Sequence, residues 1–236
     1  MLEPCFHRLD NFTSLAAEEK EAFQSALKRH RQVARGEHLL SAGSEPRAIH
    51  VILQGWASRY KLLDNGQQHI VAYLMPGDIC DVHITLLKRM DHSVRAETAM
   101  RVGVIGQDAL DRLLREHPRL ARALYWSMMV DESIAREWLI NQAGRSAEER
   151  IAHLFCELLV RSRASGLADD NVFQFPMSQT KIGEAMGMTS VHANRVMQSL
   201  RRRGLIETGR KSIRILNWPA IQAFSGFTDD YLHLTP

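Results

Sequence analysis

The chain has 236 residues, enough for two domains or one large one. It is 45% hydrophobic and 24% charged, an ordinary globular composition, and no apolar run approaches the length of a membrane span. Thirty Lys and Arg against 27 Asp and Glu leave a formal net charge of only +3, which excludes a diffusely basic protein.

The N-terminus carries charges early and has no continuous hydrophobic stretch, so it does not read as a signal peptide and a cytoplasmic location is expected. Cys5, Cys80 and Cys156 are far apart with no CxxC pair. They suggest neither a disulfide framework nor a Cys-rich zinc site, and buried, indifferent thiols are the expectation.

In chain order, residues 12–30 (FTSLAAEEKEAFQSALKRH) predict a short helix with Ser14 as its cap. From Val33 to Ile105 glycines recur at 36, 43, 55, 66, 77, 103 and 106. Between them lie short segments rich in Val, Ile, Leu and Tyr. Asp64-Asn65-Gly66 is a hairpin turn, and Met75-Pro76-Gly77-Asp78 is another. Many short strands at this spacing predict an antiparallel barrel or sandwich.

A short helix is then expected from Leu110 to about Glu116. Pro118 opens a second, running from about Arg119 to Asn141, at a position where proline is tolerated. This helix is apolar around much of its circumference. Leu120, Leu124, Ser127, Ile134 and Trp138 form one seam, with Tyr125, Met128, Met129 and Leu139 to its sides. A helix apolar on two faces needs two partners, and the seam is assigned to the same helix of a second subunit. Ser146-Ala-Glu-Glu149 is a capping box that starts the next helix. The expected division is therefore 1–117, 118–145 and 146–236.

Phe175 to Ile206 carries the sharpest signal. Ser178 caps a first helix, with Gln179 at its exposed start and Ile182, Ala185 and Met186 as its apolar face. Gly187 turns the chain, and Thr189 caps a second helix. There Ala193, Val196, Met197 and Leu200 fall at i, i+3, i+4 and i+7, one buried stripe. Ser190, Val191, Asn194, Arg195 and Gln198 are left to face outward, with His192 at the border.

Small and polar groups near a helix N-terminus suit entry into the DNA major groove. Arg195 has the fork to bond guanine O6 and N7, Asn194 the amide to pair with adenine, and Val191 the methyls to meet thymine. His192 and Arg202 suit phosphates. Residues 205–216 read as a two-stranded hairpin turning at Thr208-Gly209, with Arg210 and Lys211 near its tip, as a wing would place them. Residues 172–216 hold eight Lys and Arg against two Glu, a local net of +6. Double-stranded DNA is the partner this charge fits. Trp218 to Pro236 reads as a short helix and an irregular end.

Arg35-Gly36 through Gly55, Pro76-Gly77-Asp78 and Ile182-Gly-Glu to Arg195 together resemble the Crp/Fnr family of bacterial transcription regulators. The resemblance covers roughly residues 10–216. It implies an α+β chain: an N-terminal antiparallel β-roll like a cyclic-nucleotide-binding domain, a long dimerisation helix, and a C-terminal winged helix-turn-helix. It further implies a homodimer on a near-palindromic DNA site, with RNA polymerase as a further partner.

The departures bear on the signal sensed. Cyclic-nucleotide binders of the family have a Gly-Glu pair after the PGD turn and an Arg-Ser pair about ten residues on. Here Asp81-Val82 and His92-Ser93 stand in those places. Valine cannot accept a ribose hydrogen bond, and a histidine is a poor substitute for a bidentate guanidinium. Cyclic AMP is not expected as the ligand. One cysteine near the N-terminus cannot hold an iron–sulfur cluster, and no cofactor is expected.

His83 and His92 are the residues that a haem-binding branch would use. Asp81-x-His83 and Asp91-His92 lack a third metal ligand. A cyclic-nucleotide-type or haem sensor whose DNA binding depends on an unidentified ligand is the alternative reading. No catalytic motif is present, so an enzyme is not expected.

Overall fold

The computed structural model describes every residue except 1, 28, 81, 83–85 and 235–236. Two helices, α1 (Glu3–Asp10) and α2 (Ala17–Ala26), precede eight strands. These are β1 (Arg29–Val33), β2 (His38–Leu40), β3 (Ala48–Gln54), β4 (Ala57–Leu62), β5 (Gln68–Leu74), β6 (Ile79–Cys80), β7 (Ser93–Ala96) and β8 (Met100–Gly106). They form two four-stranded sheets, ordered β1-β8-β3-β6 and β2-β7-β4-β5. The pairings of β1, β3, β6 and β8, and of β2, β4 and β7, are antiparallel. This is the expected β-roll.

Helices α3 (Gln107–Glu116), α4 (Pro118–Gly144) and α5 (Ala147–Ala164) follow. Then come β9 (Val172–Gln174), α6 (Gln179–Met186), α7 (Ser190–Arg202), β10 (Ile206–Thr208), β11 (Ser212–Ile215) and α8 (Trp218–Ser225). Packing divides the chain into two units, Met1–Lys61 with Tyr73–Glu132, and Leu62–Ala72 with Ser133–Leu234. The division falls inside α4.

In the first unit, Ile49, Val51 and Ile52 of β3 are buried to 1% exposure or less, beside Phe23, Tyr73, Val102 and Ile105. The turn Met75–Asp78 is built as its residue types demand. Asp78 Oδ2 accepts the Met75 N–H at 2.8 Å, and Gly77 sits at φ +96°. A Cβ on Gly77 would lie 2.8 Å from the carbonyl of Pro4, because α1 packs directly on this turn.

From α1, buried Arg8 reaches Asp78 and, at 2.6 Å, Asp131 of α4. Asp131 also pairs with Arg59 of β4 at 3.0 Å. Two guanidiniums and two carboxylates from four elements thus alternate in one chain of charge, each helping to offset the others' desolvation.

Two sequence expectations are corrected here. The cap of α2 is Ala16, not Ser14; its N–H donates to Glu19 Oε2 at 2.8 Å, so the Glu19 carboxylate does the capping and the helix starts later. The seam Leu120, Leu124, Ser127, Ile134 and Trp138 is buried by the chain itself and is not open to a second subunit. The exposed apolar side chains of α4 are Tyr125, Met129, Leu139 and Ile140, between 49% and 69% exposed. A helix apolar on several sides gives its periodicity no phase, so sequence does not tell which stripe the chain covers for itself.

In the second unit α5 is the central element, buried at most positions from Ile151 to Val160. Its capping box forms as expected: Ser146 N–H donates to Glu149 Oε2 at 2.7 Å. Glu157 is fully buried and accepts from Trp138 Nε1 (3.0 Å), Arg161 (3.1 Å) and Tyr231 Oη (3.2 Å). Phe227 and Leu232 are buried as well, so the segment that sequence left without an account contributes to the core of this unit.

His153, 1% exposed, packs between Phe227 and Tyr231. Its Nε2 lies 3.2 Å from Glu137 without making a hydrogen bond. All three cysteines are buried. Burial pushes the thiols of Cys5 and Cys156 up to about 12.

Candidate nucleic-acid interface

Helix α6 begins where Ser178 Oγ accepts the Lys181 N–H at 3.3 Å. It ends at Gly187, φ +65°, the left-handed position a glycine fills at low cost. The N–H of Met188 returns to Gly183 O at 3.0 Å. A Cβ on Gly183 would sit 2.4 Å from Met188 O, so only glycine lets the turn fold back this closely.

Two side chains from outside the motif hold the end of α6. Gln142 Nε2 donates to Ala185 O at 2.7 Å, and Arg150 donates to Met186 O at 2.9 Å. Sequence reading missed Gly183 as a packing glycine, and also Gln142 and Arg150, whose partners lie more than thirty residues away in the chain.

Thr189 Oγ1 accepts the His192 N–H at 3.2 Å and starts α7. Ala193, Val196, Met197 and Leu200 are its buried face. Ser190, Val191, His192, Arg195, Gln198 and Arg202 are exposed, and Asn194 is half-buried. Val191, 61% exposed, stands at the outer surface of the first turn. Thr189, Val191, His192, Arg195 and Arg202 line one side of an open groove of about 770 Å³, and Ser146 and Glu148 line the other.

The hairpin β10–β11 follows, closed by Gly209 N–H to Ser212 O at 2.9 Å. The β9 strand adds a third strand to it, which sequence did not foresee. Arg201 donates to Thr208 at 2.9 Å and ties the hairpin to α7. Arg210 and Lys211 are exposed at its tip.

The cations sort into two sets. Lys181 pairs with Glu184, Arg203 with Glu148 and Arg214 with Glu207. Among the described residues, no carboxylate pairs with Arg195, Arg202, Arg210 or Lys211. These four are the cations that sequence assigned to DNA, and their charge is free for phosphate or base. The amide side chains differ: Gln179 Nε2 donates to Asn194 Oδ1 at 3.1 Å, and Gln198 Nε2 approaches the same oxygen at 3.5 Å.

The β-roll unit holds a cavity of about 420 Å³ lined by Arg59, Ile79, Val82, Leu87, Asp91, His92 and residues of α4 from Ser127 to Glu132. Val82 contributes an apolar side chain to this lining. His92 Nδ1 is bonded to Asp91 at 2.7 Å, a bond that holds the Asp91 carboxyl below its usual range. The lining guanidinium, Arg59, is paired with Asp131, and Arg95 is paired with Glu97. Asp81 and His83 lie outside the described residues.

Residues 149–224 match the family profile of the Crp-like helix-turn-helix domain, and residues 30–117 that of the cyclic nucleotide-binding domain. A probable transcriptional activator of Rhizobium leguminosarum bv. viciae is 29% identical over 76% of this chain and 75% of its own length. The transcriptional activator protein Anr of Pseudomonas protegens is 26% identical over 90% of this chain and 87% of its own. The structure of FixK2 from Bradyrhizobium japonicum superposes with a TM-score of 0.73, at 20% identity, over 83% of this chain and 96% of that one. With a β-roll, a long helix and a winged helix-turn-helix in this order, the chain belongs to the Crp/Fnr family of DNA-binding transcription regulators.

Proposed function

We propose that this regulator binds a near-palindromic DNA site as a homodimer, with a β-roll sensor domain that does not use cyclic nucleotide. The carrying observation is the exposed face of α7 and the wing, where, among the described residues, no carboxylate pairs with Arg195, Arg202, Arg210 or Lys211. Arg195 reads a guanine; Arg202, Arg210, Lys211, Ser178, Thr189, Ser190 and His192 hold phosphates; Val191 meets a thymine methyl.

The second copy covers Tyr125, Met129, Leu139 and Ile140, which supports dimerisation on this face of α4. Residues 1–117 serve as the sensor, 118–145 as the dimer helix and hinge, and 146–236 as the DNA-binding part. Among the described residues, no helix is long and apolar enough to cross a membrane. A cytoplasmic regulator that contacts RNA polymerase and catalyses nothing is the role this design supports.

The test is selection of bound duplexes from a random pool by the purified protein at several salt concentrations. Inverted repeats with half-site centres about one helical turn apart are expected. Arg195→Ala flattens preference at one guanine, whereas Arg202→Ala weakens all sequences alike and lowers the salt slope by about one. If both variants merely scale affinity, α7 does not dock as described.

A further inference from the structure

We propose that Gln179 determines what Asn194 can read. An asparagine that pairs with adenine uses both ends of its amide: Oδ1 accepts from N6, and Nδ2 donates to N7. Here Oδ1 is taken. Gln179, at the first position of α6, donates to it at 3.1 Å, and Gln198, one turn along α7, stands 3.5 Å away. Only the NH₂ end of Asn194 is left for the groove. Exchanging oxygen and nitrogen in all three amides would still leave one free end, so two-bond pairing is lost in either sense.

Asn194 therefore reads with a single donor. The bases that satisfy a lone donor best are guanine, through O6 or N7, and thymine, through O4. Among the described residues Arg195, next along the helix, has no such internal partner, so α7 presents one two-bond reader beside one one-bond reader. Gln179 acts through Asn194 and is a positioning residue. Its own helix is fixed by the Ser178 cap and by buried Ile182, which keeps the donated bond in place.

This inference rests on the docking of α7 proposed above. The experiment compares wild type, Gln179→Ala, Gln179→Glu, Asn194→Ala, the double variant Gln179→Ala/Asn194→Ala, and Arg195→Ala in one random-duplex selection. Asn194→Ala marks the base position concerned by flattening it. At that position Gln179→Ala is expected to raise adenine over the wild-type base about five- to tenfold, the lower range of one bidentate pair. The double variant loses this gain.

Gln179→Glu turns the amide over, because a carboxylate only accepts. Asn194 Oδ1 then faces out, and preference moves to bases offering a donor, cytosine or adenine. All the substituted residues are outside the core, and an unchanged thermal midpoint shows that each variant folds. If either Gln179 variant keeps the wild-type base and changes affinity alone, Gln179 sets no specificity and the proposal is wrong. It also fails if Asn194→Ala flattens no position. If Arg195→Ala retains its guanine, the docking itself is refuted, and this inference falls with it.

Discussion

Arg8→Met removes a guanidinium from the buried charge chain while keeping most of the side-chain stem. Arg8 is 8% exposed and Asp78 2%, so the substitution takes the guanidinium away from an enclosed carboxyl group. Breaking one partner out of a buried pair costs about 3–5 kcal/mol. Two contacts soften the loss: Asp78 keeps the Met75 N–H, and Asp131 keeps Arg59. The lower end, about 3 kcal/mol, is expected.

With a urea dependence of about 2 kcal/mol per molar, the unfolding midpoint falls by roughly 1.5 M. The double variant Arg8→Met/Asp78→Asn removes opposite charges together. It should recover at least about 1 kcal/mol of the sum of the single losses, a coupling that only direct contact gives. Urea unfolding followed by circular dichroism on the four proteins measures this cycle. If Arg8→Met costs less than about 1 kcal/mol, as exposed pairs do, the N-terminal helix is not held by this network.

Two further predictions concern the second unit. Gly183→Ala drives a Cβ against Met188 O, so α6 and α7 must part; a loss of about 1–3 kcal/mol and markedly weaker DNA binding are expected in melting and gel-shift assays, and unchanged binding would contradict the tight turn. Burial, and secondarily the Arg145 charge, lowers the His153 pKa from 6.5 to about 3. The unfolded chain therefore takes up a proton that the fold refuses, and stability present above about pH 6.5 is lost as pH falls towards 3. From pH 7 to 5 the loss from this residue is about 2 kcal/mol. His153→Phe should flatten that limb relative to wild type. Glu157, whose carboxyl burial raises, acts in the opposite sense in both proteins, so the difference between the two pH profiles isolates His153.

The parts of this molecule that sequence disclosed are those with local causes. The stripe Ala193, Val196, Met197 and Leu200, the caps Ser178 and Thr189, and the left-handed Gly187 each follow from residue type and spacing within one turn or two. The parts that escaped depend on distant chain. Helix α1 is eight residues long, and its reason for existing is the turn at Gly77 and the carboxylate of Asp131, which nothing near Arg8 announces. Strand β9 is three residues whose pairing with β11 spans a helix-turn-helix. Asn194 was legible as a polar side chain on the outer side of α7, but its tie to Gln179, fifteen residues earlier, was not. Which apolar side of α4 the chain covers for itself was not legible either, because only the fold reveals it.

The buried thiols make the protein its own opening sensor. A thiol reagent attacks the thiolate, and Cys5 and Cys156, with pKa values near 12, offer almost none at neutral pH while enclosed. Labelling then waits for the surrounding structure to open. Cys5 and Cys80 lie in the first unit and Cys156 in the second. Timed alkylation followed by peptide mass analysis would thus clock the breathing of the sensor and DNA-binding parts separately, in one tube and with no introduced dye.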